Sequence, residues 1–488
     1  MNSAVLENSG IAIVIVYLLS LIIVGYVANR ARKESSLRDY YLAGGSFGVL
    51  SLFFTLYATQ YSGNSMFGTP GMAYSGGIIA LALAIGMMGI IGMYSYFGPS
   101  LNRLSKEHQF VSVGDFVYWR YRSKALLILA NIIFVITLIN YSLANMKAVG
   151  LLLESATAGK IPFAAGVILV CLIMAIYESL GGMRSVVWTD VIQGSLLMLG
   201  CLLVFVYLVI FQVPGEIIQP EILFTKISDY AGRSENAITF ISLVLLIIPA
   251  AAVYPQAIQR LYAAKNVITL QRSYRILFFM PLFTVFPLIL IGMSATEWFP
   301  GLSRQESEGI VIFTINGLAA EVPYLSWLLI LFLAAAIAAI MSTIDSALLS
   351  LGSIFSKDVI ARRNPQIGGE QLHRFSRILS WGLMALMGAL AILLPQTIWT
   401  LMVFKLEWLI QAAPLIILSV RRSNLNSRAL LAGLIVGCCC VLFLKFSLYL
   451  GAPLPGKPMG IHAGIWAVAL NALTIFVFTS VKSRSVQP

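Results

Sequence analysis

Apolar runs of about twenty residues recur from one end of this chain to the other. A helix rising ~1.5 Å per residue needs about that many residues to cross the hydrocarbon core of a bilayer. No other feature restricts the fold so far. Lipid offers the backbone no hydrogen bonds, so spanning segments must satisfy their own polar groups, and runs this long do so as helices. Only 11% of the residues are charged and 59% are hydrophobic, against about 25% charged in an ordinary soluble domain. The chain therefore reads as an all-α polytopic membrane protein whose surroundings are a lipid bilayer.

Thirteen spans can be laid out, over residues 9–28, 48–73, 77–99, 125–153, 162–178, 187–211, 237–258, 277–297, 326–353, 376–394, 397–419, 429–449 and 463–480. The loops between them alternate in charge. With the loop after the first span in the cytoplasm, loops on that side hold 24 of the 32 lysines and arginines. The opposite loops hold five: Lys160, Lys226, Arg233, Arg304 and Lys457. Cytoplasmic loops collect basic residues, so the N-terminus is expected outside and the C-terminus in the cytoplasm. The short loops and the lack of a targeting segment suit a bacterial inner membrane. The net charge of +12 is then a matter of topology. No basic stripe with interleaved aromatics marks a nucleic-acid surface, and no nucleic-acid partner is expected.

Several functions are disfavoured. The longest outside loops, near 212–236 and 298–325, leave no room for a soluble catalytic domain, so an enzyme is not expected. No phosphate-cradling glycine loop supports ATP-driven pumping. Cys171, Cys201, Cys438, Cys439 and Cys440 lie in apolar spans without metal-ligand spacing and read as small hydrophobes. The N-terminus lacks the basic segment of a cleavable signal, and Glu7 precedes its apolar run.

Two spans are interrupted. The second, "SLFFTLYATQYSGNSMFGTPGMAYSGG", carries Thr59, Gln60, Ser62, Gly63, Asn64, Ser65 and Pro70. Such a run suits a helix broken near mid-membrane, with freed backbone lining a cavity. The seventh carries Pro249 and Pro255, and proline removes a donor from the helix ladder. Breaks five spans apart fit a transporter of two inverted repeats. Residues 48–211 and 237–419 would be the two five-helix repeats of one transport domain covering 1–488, with 9–28 and 429–480 peripheral.

The ninth span contains "AAAIAAIMSTIDSALLS" (334–350). On a helix, positions i, i+3 and i+4 share a face. Ala339, Ser342 and Thr343 have that spacing, and so do Ser342, Asp345 and Ser346. Two overlapping oxygen-rich patches result. Hydroxyls, carbonyls and a carboxylate are hard ligands that suit a small hard cation. Serine and threonine also bond their own helix carbonyls, but a carboxylate at this depth points to function.

These residues resemble the sodium:solute symporter family. The resemblance rests on "AAIMSTIDSALLS" (338–350), "GGMRSVVWTDVIQ" (181–193) and "IQRLYAAK" (258–265), spread over most of the chain. It implies a leucine-transporter-like 5+5 inverted-repeat core with broken helices and sodium-driven symport of a small organic solute by alternating access. Na+ would be the coupling ion, with no organic cofactor. It further implies a first sodium site at Ala58, Tyr61, Ala339, Ser342 and Thr343. A possible second site would use Ser342, Asp190, Asp345 and Ser346. Asp345 departs from the small hydroxyl residue of members with that second ion, which leaves stoichiometry open. Asp190 could instead pair with a loop arginine such as Arg184.

For the solute, Gln60, Ser62 and Ser65 at the first break match contacting positions of the family. Tyr254 is a further cavity candidate, as is Tyr141. Ala250, Ala251 and Ala252 stand where sugar and proline carriers place aromatics, which disfavours stacking and leaves room for another shape. Lys405 and Glu407 lie two apart and do not face each other. Glu407 and Gln411 share a face and could touch a polar solute, while Lys147, Lys405 and Lys445 read as buried, snorkelling or paired. The alternatives to sodium symport are a proton-coupled carrier using Asp345 and a membrane solute sensor with a symporter-like fold.

Overall fold

The computed structural model describes residues 8–30, 37–157, 159–211, 234–322, 326–364, 366–394, 398–421, 425–447 and 457–484. Most of the loop at 212–236 lies beyond them. Among the described residues the chain is helical, with one isolated parallel bridge between Phe47 and Ala264. The first half contains α1 (Asn8–Arg30), α2 (Val49–Gln60), α3 (Thr69–Gly76), α4 (Leu81–His108), α5 (Lys124–Ala156) and α6 (Phe163–Phe211). The second contains α7 (Ser234–Ala252), α8 (Pro255–Ala263), α9 (Val267–Leu277), α10 (Met280–Ser294) and α11 (Trp327–Ser353). It ends with α12 (Gly369–Leu393), α13 (Ile398–Leu409, whose helical course runs on to Arg421), α14 (Ser427–Phe446) and α15 (Ala463–Arg484).

Ten helices among the described residues are long and apolar enough to cross a membrane, or eleven if the bent pair α7–α8 is one span. Two shorter apolar helices, Val49–Gln60 and Ala463–Thr479, stand beside them. The thirteen spans of the sequence layout divide the same stretches differently, because an interrupted span is cut where its backbone breaks. Burial sorts the helices. Within the most apolar window of Trp327–Ala361, 83% of residues are buried, against 28% for Gly10–Ala28. Lipid is as apolar as leucine, so interior position is set by packing and polar contacts. The alanine-rich α11 meets that condition and packs against both α5 and α6.

The first break is built from three residues. Helix α2 stops because Tyr61 is extended (φ −96, ψ 115). In an unbroken helix Ser62 N–H would bond the Ala58 carbonyl and Gly63 N–H the Thr59 carbonyl. Instead Ser62 N donates to Ser65 Oγ at 3.4 Å and Gly63 N to Asn145 Oδ1 at 2.8 Å. Two carbonyls at the end of α2 are thereby released. A wide turn over Asn64–Gly68 then leads into α3.

The second break lies at Val253–Tyr254, where α7 and α8 meet at 49°. Pro255 opens α8 at the position where a missing N–H costs no bond. Of the two prolines expected to interrupt this span, Pro255 marks the break and Pro249 stays inside α7. The span also runs further than its sequence boundary at 258, so Arg260 sits in α8 and not in a following loop. Helix α6 turns once, at Gly182 (φ 57, ψ −148). A Cβ there would meet the Tyr40 ring at 2.6 Å, so both backbone and neighbour demand glycine.

Candidate cation and solute sites

The released Ala58 carbonyl faces α11. Ser342 Oγ donates to it at 2.8 Å and lies 3.2 Å from the Ala339 carbonyl. Thr343 Oγ1 donates to the same Ala339 carbonyl at 2.9 Å. Four of the five groups expected at the first sodium site thus meet across the α2–α11 contact. Tyr61, the fifth, is the extended residue at the break, its ring 4.6 Å from that of Tyr57. Ser342 and Thr343 are fully buried. Neutral, hard oxygens from two helices form a set suited to an alkali cation.

One turn on, the arrangement changes. Ser346 Oγ donates to the Ser342 carbonyl at 2.6 Å, lies 3.0 Å from Thr59 Oγ1 and accepts from Arg260 Nη2 at 2.5 Å. Asp190 Oδ2 accepts from Thr55 Oγ1 at 2.5 Å and from Arg260 Nη2 at 3.5 Å. Arg260 Nε donates to Thr55 Oγ1 at 3.0 Å and Nη1 to the Gln256 carbonyl at 3.0 Å. Arg260 and Asp190 are both wholly buried. Two of the groups expected around a second sodium therefore already hold a guanidinium. Asp345 is engaged elsewhere: one carboxylate oxygen accepts from the Tyr177 hydroxyl, and the other has no partner. Arg184, offered by the sequence as a partner for Asp190, pairs with Asp39 at 2.7 Å.

A cavity lies between the two helix breaks. Gln60, Ser62, Ser65 and Tyr254 of the expected solute positions line it, together with Tyr141. Tyr141 and Tyr254 stack with centroids 5.2 Å apart and planes at 12°. Of the three alanines, Ala251 reaches the cavity. Although residues 250–252 are alanines, the cavity has aromatic faces: a neighbouring helix supplies Tyr141, and the α7–α8 break itself supplies Tyr254.

Glu407 and Gln411 do not line this cavity. Glu407 Oε2 pairs with Lys445 Nζ at 2.7 Å. Gln411 Nε2 donates to the Glu407 and Gly464 carbonyls at 3.2 and 3.3 Å, and Asn471 Nδ2 donates to its backbone carbonyl at 2.9 Å. Both face α14 and α15, on the side of α13 away from the cavity, and they are withdrawn as solute contacts. Lys405, two residues from Glu407, faces the cavity instead. Its Nζ stands 3.4 Å from the Tyr141 ring centroid and 5.8 Å from that of Tyr254. Spacing along the helix shows that the two charges point apart, but not which one faces inward.

The model of the sodium:solute symporter family matches residues 40–437. The sodium/pantothenate symporter of Haemophilus influenzae is 26% identical over 450 residues, covering 88% of this chain and 89% of that protein. The osmoregulated proline transporter OpuE of Bacillus subtilis is 26% identical, covering 88% of this chain and 87% of its own. A solved Na+-coupled sialic acid symporter, in a substrate-bound outward-open state, superposes with a TM-score of 0.79 at 19% identity and 98% coverage of both chains. The fold is also shared, at a TM-score of 0.54 and 13% identity over 90% of this chain and 94% of that one, with Mhp1, a nucleobase-cation-symport-1 family transporter. With most of its length matched by the family model and its helices arranged as in a sodium-coupled carrier, the chain belongs to the sodium:solute symporter family, a family of membrane transporters and not of enzymes.

Proposed function

We propose that this protein imports a small organic solute with one sodium ion across a bacterial plasma membrane, its N-terminus outside and its C-terminus in the cytoplasm. Sodium takes the oxygens of Ala58, Tyr61, Ala339, Ser342 and Thr343. The solute takes the cavity between the breaks, touching Gln60, Ser62, Ser65 and Tyr254. Residues 48–211 and 237–419 act as the two inverted halves, and α2 and α11 separate as the site opens inward. An ion bound between these helices holds them together, and its loss frees them. Nothing covalent changes.

The observation that carries the reading is the 2.8 Å approach of Ser342 Oγ to the released Ala58 carbonyl. It brings a helix end and an intact helix to one point through polar oxygens alone. The one-ion stoichiometry rests on Arg260. Its guanidinium occupies Asp190 and Ser346, and a second sodium among them would meet a fixed like charge at a wholly buried site, where repulsion is strong. A proton-coupled carrier would work through Asp345, whose second oxygen is unpartnered, and would show pH dependence without sodium dependence.

The test is thermal unfolding of the purified protein in detergent, with sodium against potassium at equal ionic strength. An ion that binds only the folded state adds about 1.4 kcal/mol at ten times its Kd. A sodium-specific rise in Tm that Ser342→Ala removes supports the assignment. No sodium-specific rise in the wild type refutes it.

A further inference from the structure

Resting on the transport reading above, we infer that the solute is an organic anion whose carboxylate docks on Lys405. Among the described residues Lys405 is the one charged side chain that lines the cavity. It is 3% exposed, and no carboxylate lies within ion-pair distance of it among those residues. Its neighbours are the faces of Tyr141 and Tyr254. Aromatic faces attract a cation, but they offset only part of the cost of taking an ammonium out of water. A buried charge of this kind calls for a counter-ion, and the space in front of it is the solute's.

The nearby acids are committed elsewhere. Asp190 belongs to Arg260, Glu407 to Lys445, and Asp345 to the Tyr177 hydroxyl. The rest of the lining completes the solute's outline. Gln60 Nε2, Asn64 Nδ2 and Oδ1, and Gln256 Oε1 are buried without partners, and all three side chains face the cavity. They offer two donors and two acceptors to amide or hydroxyl groups. Leu83, Ile90, Val285 and Met402 close the remaining wall. The matching ligand has one carboxylate, one or two neutral polar groups and an apolar body.

The geometry also links this anion to the ion. Tyr141 presents its ring to Lys405 and donates its hydroxyl to the Thr59 carbonyl at 3.4 Å. That carbonyl is next in sequence to Ala58, whose own carbonyl faces Ser342. One side chain therefore reads both the carboxylate position and the end of α2.

The experiment uses the purified protein with sodium present. Each probe acid is compared with its own carboxamide: butyrate, octanoate, phenylacetate and N-acetylated amino acids. Proline and glucose serve as zwitterionic and neutral controls. The expected result is a Tm rise with at least one acid and none with its amide. Lys405→Met should weaken that acid by about ten- to a hundredfold, while keeping the rise caused by sodium alone. Lys405→Arg should recover part of the loss.

Equal response to acid and amide overturns the inference, as does an acid response that survives Lys405→Met. Silence towards every acid, with the sodium rise intact, overturns it too. In each of these cases the sodium reading stands. Loss of the wild-type sodium response is the separate failure of that reading. The acid-against-amide comparison in wild type stands even if Lys405→Met does not fold.

Discussion

Two oxygen-rich patches lie a single turn apart on α11, and they answer positive charge in opposite ways. Around Ser342 and Thr343 the oxygens are neutral, one of them the Ala58 carbonyl released by the break in α2, and the proposed function puts a mobile cation there. Around Ser346 and Asp190 a cation is already built in, as the guanidinium of Arg260. Residue type alone barely distinguishes them, since each has hydroxyls and the second merely adds acid. What separates them is the helix that faces each patch. The broken end of α2 brings the Ala58 carbonyl to the first, and α8 brings an arginine to the second. Helix breaks thus set the charge of a site as well as its shape.

The largest effect expected from this contrast is at Arg260. Replacing it with methionine leaves Asp190 buried and uncompensated, and breaking a buried pair from one side costs about 3–5 kcal/mol. Thermal unfolding in detergent should show a loss of that order, and Asp190→Asn in the same background should restore part of it. If the single variant loses less than about 1 kcal/mol, the guanidinium is not what holds this patch together.

Sodium titration sharpens the comparison next. Thr343→Ala removes a neutral ligand and should weaken sodium by about tenfold or more. Ser346→Ala, one turn away, should lower the Tm while leaving sodium affinity nearly unchanged and the sodium response that of a single site. A Ser346→Ala variant as impaired in sodium binding as Thr343→Ala would mean that both patches hold the ion.

The breaks themselves were legible in sequence because glycine, proline, asparagine and serine act locally on the chain. Gly63 was visible as part of the interrupted stretch, and the structure adds the reason it is small. A Cβ there would lie 2.6 Å from Ala148 Cβ and 3.1 Å from both Asn145 Oδ1 and Ile340 Cγ1. Gly63→Ala should therefore cost about 1–3 kcal/mol through overpacking, read again by thermal unfolding. The hydroxyl pair on α11 was legible for the same local reason, since helix geometry fixes which residues share a face. Arg260 was not. It stands 70 residues from Asp190 along the chain, and periodicity on one helix says nothing about which other helix lies opposite. Lys405 escaped in the same way: spacing shows that it and Glu407 point apart, but the cavity belongs to whichever face meets the breaks.

The smallest expected effect tests that last point. Glu407 and Lys405 share a helix and divide its faces, one tied to α14, the other turned to the cavity. Glu407 is fully buried, and Lys445, its partner, is 25% exposed. Glu407→Gln keeps the size of the side chain it replaces and a hydrogen-bonding oxygen beside Lys445. It should cost less stability than Arg260→Met, which strands a wholly buried charge, and leave the apparent affinity for solute where it was. Uptake into proteoliposomes at varied solute concentration would read this directly. A clear rise in KM from Glu407→Gln, at unchanged stability, would return the acid to the solute side of α13 and undo the division of faces on which the carboxylate assignment depends.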